Sequence, residues 1–278
     1  MKKPIVGLMY DFDKTLCTKD MQEYGFIPDL KMEAKDFWGE VNQLTDSESM
    51  DSILAYMYLM VEKCREQKLK ISRKYFNKLG KGVEFFDGVE SWFDRINKYG
   101  DEAGVTVEHY IVSSGIKEII EGTTIADCFK KIYACEFMYN NNNKLIQWPK
   151  VAVNYTAKTQ FLFRINKGVL DLDSQSSNQL NQFTPENDRR IPFRNMIYIG
   201  DGLTDVPCMK LVKSYGGRSI AVYDPQKGNN AAIGLLEADR VNHIMPADYS
   251  EGSKLESLVK SIIKKIQAVE EIESYINI

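Results

Sequence analysis

Two carboxylates follow the first apolar run of the chain. Asp11 and Asp13 form an Asp-x-Asp pair in the segment DFDKT (11–15), directly after the run IVGLMY (5–10). A lone Asp-x-Asp more often marks a solvated loop or a helix N-cap. Here the pair stands where a buried parallel strand would end, and open α/β sheets bind their ligands at the carboxyl ends of strands. The position therefore favours catalysis or metal binding.

A second acidic cluster lies in the segment IYIGDGLTD (197–205), which contains Asp201 and Asp205. These acids again follow an apolar run, and the glycines between them permit tight backbone turns. If the two strand ends meet, each pair of carboxylates at about 5 Å and an effective dielectric near 20 repels by roughly 3 kcal/mol. A bound cation would remove this repulsion. Oxygen ligands without a nearby histidine or cysteine favour Mg²⁺.

Two further segments carry groups that suit an anion. The run YIVSSG (110–115) ends in the hydroxyls of Ser113 and Ser114, and a helical pattern starts at residue 116. Hydroxyls and helix N-terminal amides both bind anions, although a simple helix cap explains this segment about equally well. Lys158 falls in the first turn of a helical pattern over 156–165, where a cation opposes the helix dipole and needs a compensating partner. The alternative for Lys158 is a solvent-facing lysine.

The elements that must position these groups form an alternating strand and helix pattern, which predicts an α/β fold with a doubly wound, Rossmann-like parallel sheet. Helical spacing over 89–99 and 255–269 predicts helices that cover the sheet. Residues 139–144 predict a hairpin turn and 173–190 a mobile polar loop. The predicted strands cover residues 5–10, 107–112, 132–135, 195–199, 219–223 and 240–245.

Between residues 19 and 81 the apolar pattern changes. Buried-strand runs give way to helical spacing, as in Tyr56, Met57 and Met60. We interpret this segment as an inserted helical domain. The predicted organisation is therefore an α/β core made of residues 1–18 and 82–278, with residues 19–81 as the insert.

Composition limits the possible partners. The chain has 278 residues, a formal net charge of -3 and 44% hydrophobic residues, as expected of an ordinary globular protein without the basic field that holds nucleic acid or anionic lipid. Five scattered cysteines without a CxxC pair argue against a disulfide framework or a zinc cluster. We expect a cytoplasmic protein with a small-molecule partner and neither nucleic acid nor membrane as a partner; the oligomeric state is open.

Taken together, these segments resemble the haloacid dehalogenase superfamily. The segment DFDKT, the strand that ends in Ser113, Lys158 and the segment GDGLTD (200–205) are similar to its four motifs in order and context. The likeness covers about residues 5–18 and 82–245. Two acids in the first motif resemble the phosphatase and phosphomutase branches, and the insert after that motif is similar to the helical cap of the phosphoserine-phosphatase-like group.

The resemblance implies a Mg²⁺-dependent phosphomonoester hydrolase that acts on a small phosphorylated metabolite through an aspartyl phosphate. Asp11 would be the nucleophile and Asp13 the acid and base. The metal would be held by the Asp11 carboxylate, the Asp13 backbone carbonyl and Asp201.

The remaining site residues are also implied by the resemblance. Ser113, Ser114 and Lys158 would bind the phosphoryl oxygens, and Asp205 would orient a ligand or Lys158. Asp20 stands where phosphoserine-phosphatase-like enzymes carry an acid that contacts the substrate. Residues 55–61 offer Met and Tyr where that group would place an arginine, so the identity of the substrate is open.

Two other functions are compatible with these residues. A phosphotransferase or phosphomutase would use the same site and differ only in the group that accepts the phosphoryl. A phospho-ligand-binding or receiver-like protein would hold phosphate on an aspartate without turnover. Receivers are shorter and place the acceptor aspartate on a later strand, whereas here the acidic pair follows the first.

Overall fold

The computed structural model describes residues 3–142 and 144–275, and it gives no side-chain placement for Ser174 and Asn187. In these residues the centre of the fold is one seven-stranded sheet with the strand order β4-β3-β2-β1-β5-β6-β7. All neighbouring strands are parallel except β3 and β4. The strands are β1 (Ile5–Tyr10), β2 (Thr106–Ile116), β3 (Lys131–Tyr139), β4 (Ile146–Val151), β5 (Met196–Gly200), β6 (Arg218–Tyr223) and β7 (His243–Pro246).

The helices lie mainly between the strands, as expected for parallel connections. The α/β fold with a doubly wound, Rossmann-like sheet is thereby confirmed. The helices are α1 (Phe26–Asp29), α2 (Ala34–Glu48), α3 (Ser52–Glu66), α4 (Arg73–Gly80), α5 (Val89–Glu102), α6 (Lys117–Ile120), α7 (Ala157–Lys167), α8 (Ser174–Asn181), α9 (Val206–Ser214), α10 (Asn230–Glu237) and α11 (Lys254–Ser274).

The strand order places the ends of β1 and β5 side by side. From β1 the chain builds the sheet outward through β2 and β3 on one side, and it later returns to form β5 on the other side of β1. Such a reversal leaves a crevice between the two strands at their carboxyl ends. The two acidic segments of the sequence follow these two strands, so the topology brings them to one crevice.

Helices α1 to α4 follow β1, and their segment contacts the rest of the fold on two sides. Helix α4 packs closely on α6, where a Cβ atom on Gly122 would lie 1.9 Å from the carbonyl oxygen of Asn77. On the other side, the backbone amide of Ile146 in β4 donates a hydrogen bond of 2.9 Å to the carbonyl of Ile71.

Two details of the predicted elements are wrong. Strand β2 does not end at the two serines but continues to Ile116, with an irregular register after Val112, so helix α6 is only four residues long. The segment 173–190, predicted as a mobile loop, contains helix α8 and a 3₁₀ turn. Asp173 caps α8 by accepting from the Ser176 amide at 2.9 Å. A short polar helix that is stabilised by such a cap shows no apolar periodicity by which the sequence would predict it.

The predicted hairpin turn between β3 and β4 is present in the described residues, although Asn143 lies outside them. No helix in the described residues combines the length and apolar character needed to cross a bilayer.

His109 has a structural place beneath helix α5. Its ring is buried, and the Tyr10 hydroxyl, which accepts from Trp92 Nε1 at 2.9 Å, lies 3.0 Å from His109 Nδ1. The other ring nitrogen, Nε2, lies 3.1 Å from Asn97 Oδ1. These bonds suit a neutral ring that accepts at Nδ1 and donates at Nε2. Burial lowers the pKa of His109 to about 3.

We therefore expect His109 to destabilise the fold in acid. Since its pKa is lower in the folded state, the unfolded chain binds more protons below about pH 6.5, and stability falls as the pH falls. From pH 6.5 to pH 5 the loss from this ring alone is about 1.6 kcal/mol. Urea unfolding of the wild type and of His109→Gln should show their difference in free energy of unfolding narrowing by that amount. A constant difference over this range would contradict the neutral buried ring.

Candidate active site

Asp11 lies at the carboxyl end of β1, on the floor of the crevice. Its backbone amide donates to the carbonyl of Ile199 at 2.9 Å, which ties the end of β1 to the end of β5. Its side chain is 8% exposed. The oxygen Oδ1 accepts from the Phe12 amide at 2.8 Å and lies 3.2 Å from Lys158 Nζ. The carboxylate is thus held in one orientation by two donors.

Asp13 is held between the β1 loop and the helical segment that follows it. The backbone amide of Met21 donates to Asp13 Oδ1 at 2.8 Å. The other oxygen faces Gly115 at the end of β2, where a Cβ atom would lie 2.9 Å from Oδ2 and 2.1 Å from the Met21 methyl. A larger residue at position 115 would therefore displace the side chains of Met21 and Asp13.

The loop after β5 supplies the second pair of acids. Asp205 is fully buried and accepts at Oδ1 from the Tyr198 hydroxyl at 2.7 Å and at Oδ2 from the Gly202 amide at 3.3 Å. A Cβ atom on Gly200 would lie 2.4 Å from Asp205 Oδ2, so a larger residue would displace the carboxylate. Asp201 accepts at Oδ1 from the Thr15 hydroxyl at 3.3 Å and lines the cavity.

Lys158, in the first turn of α7, has the compensating partners that its position at a helix N-terminus requires. Its buried ammonium lies 2.8 Å from Asp205 Oδ1 and 3.2 Å from Asp11 Oδ1. Burial alone would lower the pKa of Lys158, but the two carboxylates outweigh burial and raise it. The lysine is therefore charged and links the ends of β1 and β5 through two ion pairs.

One lysine does not balance the negative charge of this crevice. Burial, together with repulsion from Asp205, raises the pKa of Asp11 to about 6 despite the opposing effect of Lys158. Burial and the neighbouring acids also raise the pKa of Asp13 and of Asp201 well above the usual range of a carboxyl. Protonation of these carboxyls therefore reduces the negative charge of the crevice, which a bound cation would otherwise balance.

The donor set fits a hard divalent ion. Carboxylate oxygens of Asp11, Asp201 and Asp205 lie within 4.8 Å of one another. Of these, Asp205 is already occupied by Lys158, Tyr198 and Gly202. Asp11 and Asp201 therefore remain the carboxylates available to an ion, and Mg²⁺ is commonly held by one or two carboxylates and by the substrate phosphate.

A cavity of about 410 Å³ opens above these acids. Five of the predicted site residues line it: Asp11, Asp13, Asp20, Ser114 and Asp201. Three others, Ser113, Lys158 and Asp205, are fully buried beside or beneath it. The hydroxyl oxygen of Ser113 accepts from the Gly115 amide at 3.0 Å.

The helical segment supplies cavity residues that the sequence analysis did not identify. They are Gln22, Trp38, Val41, Asn42, Ser52 and Ile53. Of the three residues whose helical spacing marked this segment, Tyr56 lines the cavity and donates to the carbonyl of Ser114 at 2.6 Å, whereas Met57 and Met60 are buried in the core. Nothing in the sequence indicates that Gln22 lies at the site. Tyr198, the partner of Asp205, could have been inferred, because a buried tyrosine ordinarily requires a hydrogen-bond partner.

Asp20 faces a lysine. Its carboxylate lies 2.5 Å from Lys14 Nζ, and both residues line the cavity. Lys14 adopts a left-handed backbone conformation with φ 56, which bends the loop after Asp13. Burial opposes the charge of Lys14, but Asp20 and the other acids raise its pKa.

Comparisons with known proteins agree with this geometry. The family model of haloacid dehalogenase-like hydrolases matches residues 8–210. An uncharacterized protein of Borreliella burgdorferi is 30% identical over an alignment of 281 positions, which covers 91% of this chain and 95% of the relative.

Solved structures share the fold, and two of them superpose over most of this chain. A HAD family hydrolase, t0658, from Salmonella enterica serovar Typhi superposes with a TM-score of 0.57 at 17% identity, covering 94% of this chain and 72% of the other. A substrate-bound phosphoserine phosphatase complex superposes with a TM-score of 0.56 at 14% identity, covering 94% of this chain and 99% of the other. At these identities the likeness concerns the fold alone.

The family match contains both acidic segments, the end of β2 and Lys158. It covers well over half of the chain, and the residues that it contains converge on one crevice. The chain belongs to the haloacid dehalogenase-like hydrolase family.

Proposed function

We propose that the protein is a Mg²⁺-dependent phosphomonoester hydrolase that acts on a small phosphorylated metabolite through an aspartyl phosphate. The observation that carries this proposal is the pair of carboxylates in the cavity, the buried Asp11 and the half-buried Asp13, with Asp11 Oδ1 held 3.2 Å from Lys158 Nζ. A nucleophile and an acid with different partners and different environments can take different roles in one reaction.

In the first step an oxygen of Asp11 attacks phosphorus in line with the ester oxygen. The bond between Asp11 and phosphorus forms, the ester P–O bond breaks, and Asp13 gives its proton to the departing alcohol. Burial, with Asp20 and Asp11 adding to it, raises the pKa of Asp13. The protonated form needed for this step is therefore favoured.

In the second step Asp13, now ionised, takes a proton from water. The oxygen of that water attacks phosphorus, the bond to Asp11 breaks, and phosphate leaves. The Met21 amide, which holds Asp13 at 2.8 Å, keeps the carboxylate in place for both steps. General acid and base catalysis of this kind contributes about 10² to 10⁴ in rate.

Lys158, Ser113 and Ser114 are the proposed ligands of the phosphoryl oxygens. Lys158 is fixed by Asp205 and Asp11, so its charge is oriented before the substrate binds. Asp11, Asp201 and the backbone carbonyl of Asp13 would hold Mg²⁺. The ion would neutralise charge on the carboxylates and on the transferred phosphoryl group.

Residues 19–81 are proposed to act as a cap. Their side chains, among them Gln22, Trp38 and Tyr56, form the wall of the cavity opposite the strand ends. A cover of this kind limits the access of water to the intermediate and contacts the leaving group of the substrate. The proposed boundaries leave residues 1–18 and 82–278 as the catalytic core.

Asparagine at residue 11 should abolish turnover, because an amide keeps the shape of the carboxylate but cannot attack phosphorus. We expect Asp11→Asn to release no phosphate from p-nitrophenyl phosphate and to unfold at or above the wild-type temperature, since one repelling charge is removed. The exposed Asp46→Asn is the matched control and should keep full activity. Steady turnover by Asp11→Asn would refute the assignment of the nucleophile.

Removing the buried lysine should destabilise the fold, because two carboxylates then lose their partner. We expect Lys158→Met to lower the free energy of unfolding by about 3 to 5 kcal/mol at pH 7. The double variant Lys158→Met with Asp205→Asn should recover part of that loss, since one stranded charge disappears. The exposed pair of Lys3 and Asp101 gives the control: Lys3→Met should change stability by less than about 1 kcal/mol. Equal effects at both lysines would contradict the proposed role of the ion pairs.

Metal dependence has two readouts. EDTA should stop phosphate release and Mg²⁺ should restore it. In the absence of substrate, Mg²⁺ at about 100 times its dissociation constant should stabilise the folded protein by about 2.7 kcal/mol. Asp201→Ala should lose this stabilisation, whereas Asp46→Ala should keep it. Activity that is indifferent to chelator, or stabilisation that survives in Asp201→Ala, would contradict the metal site.

A further inference from the structure

Two polar groups in the cavity have no partner within the described part of the protein. Gln22 is 2% exposed, and its Oε1 atom is buried without a hydrogen bond. The hydroxyl of Ser114 is buried and unpaired in the same way. Both residues line the cavity. Because buried polar groups are nearly always paired, two unpaired groups in one cavity point to a ligand that pairs them.

The position of Gln22 relates it to the leaving group. Gln22 follows Met21, whose amide holds the proposed acid Asp13. The short 3₁₀ helix Met21–Tyr24 therefore fixes the acid with one residue and brings the next to the same cavity. The alcohol that Asp13 protonates would depart on this side of the site. The side-chain amide of Gln22 can both donate and accept, which suits the hydroxyl groups of a neutral partner.

The cavity wall also includes the polar Asn42 and Ser52 and an apolar part. Trp38, Val41, Ile53 and Tyr56 line it, and the rings of Trp38 and Tyr56 lie 6.0 Å apart at an angle of 70°. The polar ends of both aromatic side chains are already used: Trp38 Nε1 donates to Glu23 at 3.0 Å, and the Tyr56 hydroxyl donates to the carbonyl of Ser114. Their apolar surfaces are therefore what they offer to a ligand.

The charge of the cavity opposes a second anionic group on the substrate. Of the described residues that line it, Lys14 is the single cation, and Asp20 pairs with Lys14 at 2.5 Å. The other charged lining residues are Asp11, Asp13 and Asp201. A carboxylate on the leaving group would meet these acids without a free cation to pair with it.

We propose that the cavity selects phosphate monoesters of neutral, hydroxyl-bearing alcohols with one apolar face, the chemistry shared by sugars and nucleosides, and discriminates against leaving groups that carry a carboxylate. Gln22 binds a hydroxyl of the alcohol, Ser114 binds the phosphoryl group as proposed above, and Trp38 and Tyr56 contact the apolar face. This inference rests on the phosphatase function proposed above.

The wild-type protein tests the charge preference with a matched pair. Glycerol 3-phosphate and 3-phosphoglycerate differ in one group, a hydroxymethyl against a carboxylate. We expect kcat/KM to be at least about tenfold higher for glycerol 3-phosphate, a difference of about 1.4 kcal/mol. Sugar phosphates and nucleoside monophosphates, assayed alongside, distinguish the two sources of the alcohol. Equal or higher kcat/KM for 3-phosphoglycerate would overturn the inference while leaving phosphatase function intact. Absence of turnover on every ester, p-nitrophenyl phosphate included, would overturn both.

Variants then test the residues. Gln22→Met keeps the volume of the side chain but removes its hydrogen bonds, and it should lower kcat/KM for the best hydroxylated substrate, relative to p-nitrophenyl phosphate, by about tenfold. The exposed Gln226→Met is the matched control and should leave this ratio unchanged.

Asp20→Ala should release Lys14 and raise kcat/KM for 3-phosphoglycerate relative to glycerol 3-phosphate. An unchanged ratio in Gln22→Met, or no gain for the carboxylate in Asp20→Ala, would contradict the proposal.

Discussion

A buried lysine that pairs with two carboxylates joins the ends of β1 and β5, the two strands that form the crevice. Lys158 pairs with Asp11 at the end of β1 and with Asp205 after β5. Buried charges persist only when they are paired and hydrogen-bonded, so these three residues have to meet whenever the chain folds. That requirement accounts for Gly200, which leaves room for Asp205, and for the Tyr198 hydroxyl, which completes its hydrogen bonds. Strand order and side-chain chemistry thus meet at one contact.

The lysine leaves most of the acid charge of the crevice unbalanced, and the proposed chemistry follows from that surplus. Asp13 and Asp201 have raised pKa values because burial and neighbouring acids disfavour their ionised forms. A proton on Asp13 makes that residue an acid, and a divalent ion beside Asp201 would make that residue a ligand. The same surplus of negative charge disfavours an anionic leaving group, because Lys14, the cation at the cavity wall, already pairs with Asp20. The proposed reaction and the proposed selectivity therefore share one electrostatic cause.

The sequence predicted the parts of the structure that depend on local pattern. Apolar runs that end in acids located β1 and β5, and the unfavourable position of Lys158 in α7 predicted the need for a partner, which the structure shows to be Asp11 and Asp205. Gln22 could not be predicted, because its role depends on a burial and a missing hydrogen bond that only the folded chain defines. Helix α8 was missed because polar capping by Asp173 leaves no apolar period. The sequence predicts that a strand ends at Ser113 and Ser114, whereas β2 continues to Ile116 through an irregular register that no local pattern marks.

The central claim is that the phosphoryl group passes through Asp11, and trapping that adduct tests it most directly. Asp13→Asn should still accept a phosphoryl group from p-nitrophenyl phosphate, whose leaving group needs no proton, but it should lack the base that activates water for hydrolysis. Rapid acid quench followed by mass spectrometry of peptides should then find one phosphoryl group on Asp11. A phosphoryl group on any other residue, or steady phosphate release by this variant with no adduct on Asp11, would contradict the account.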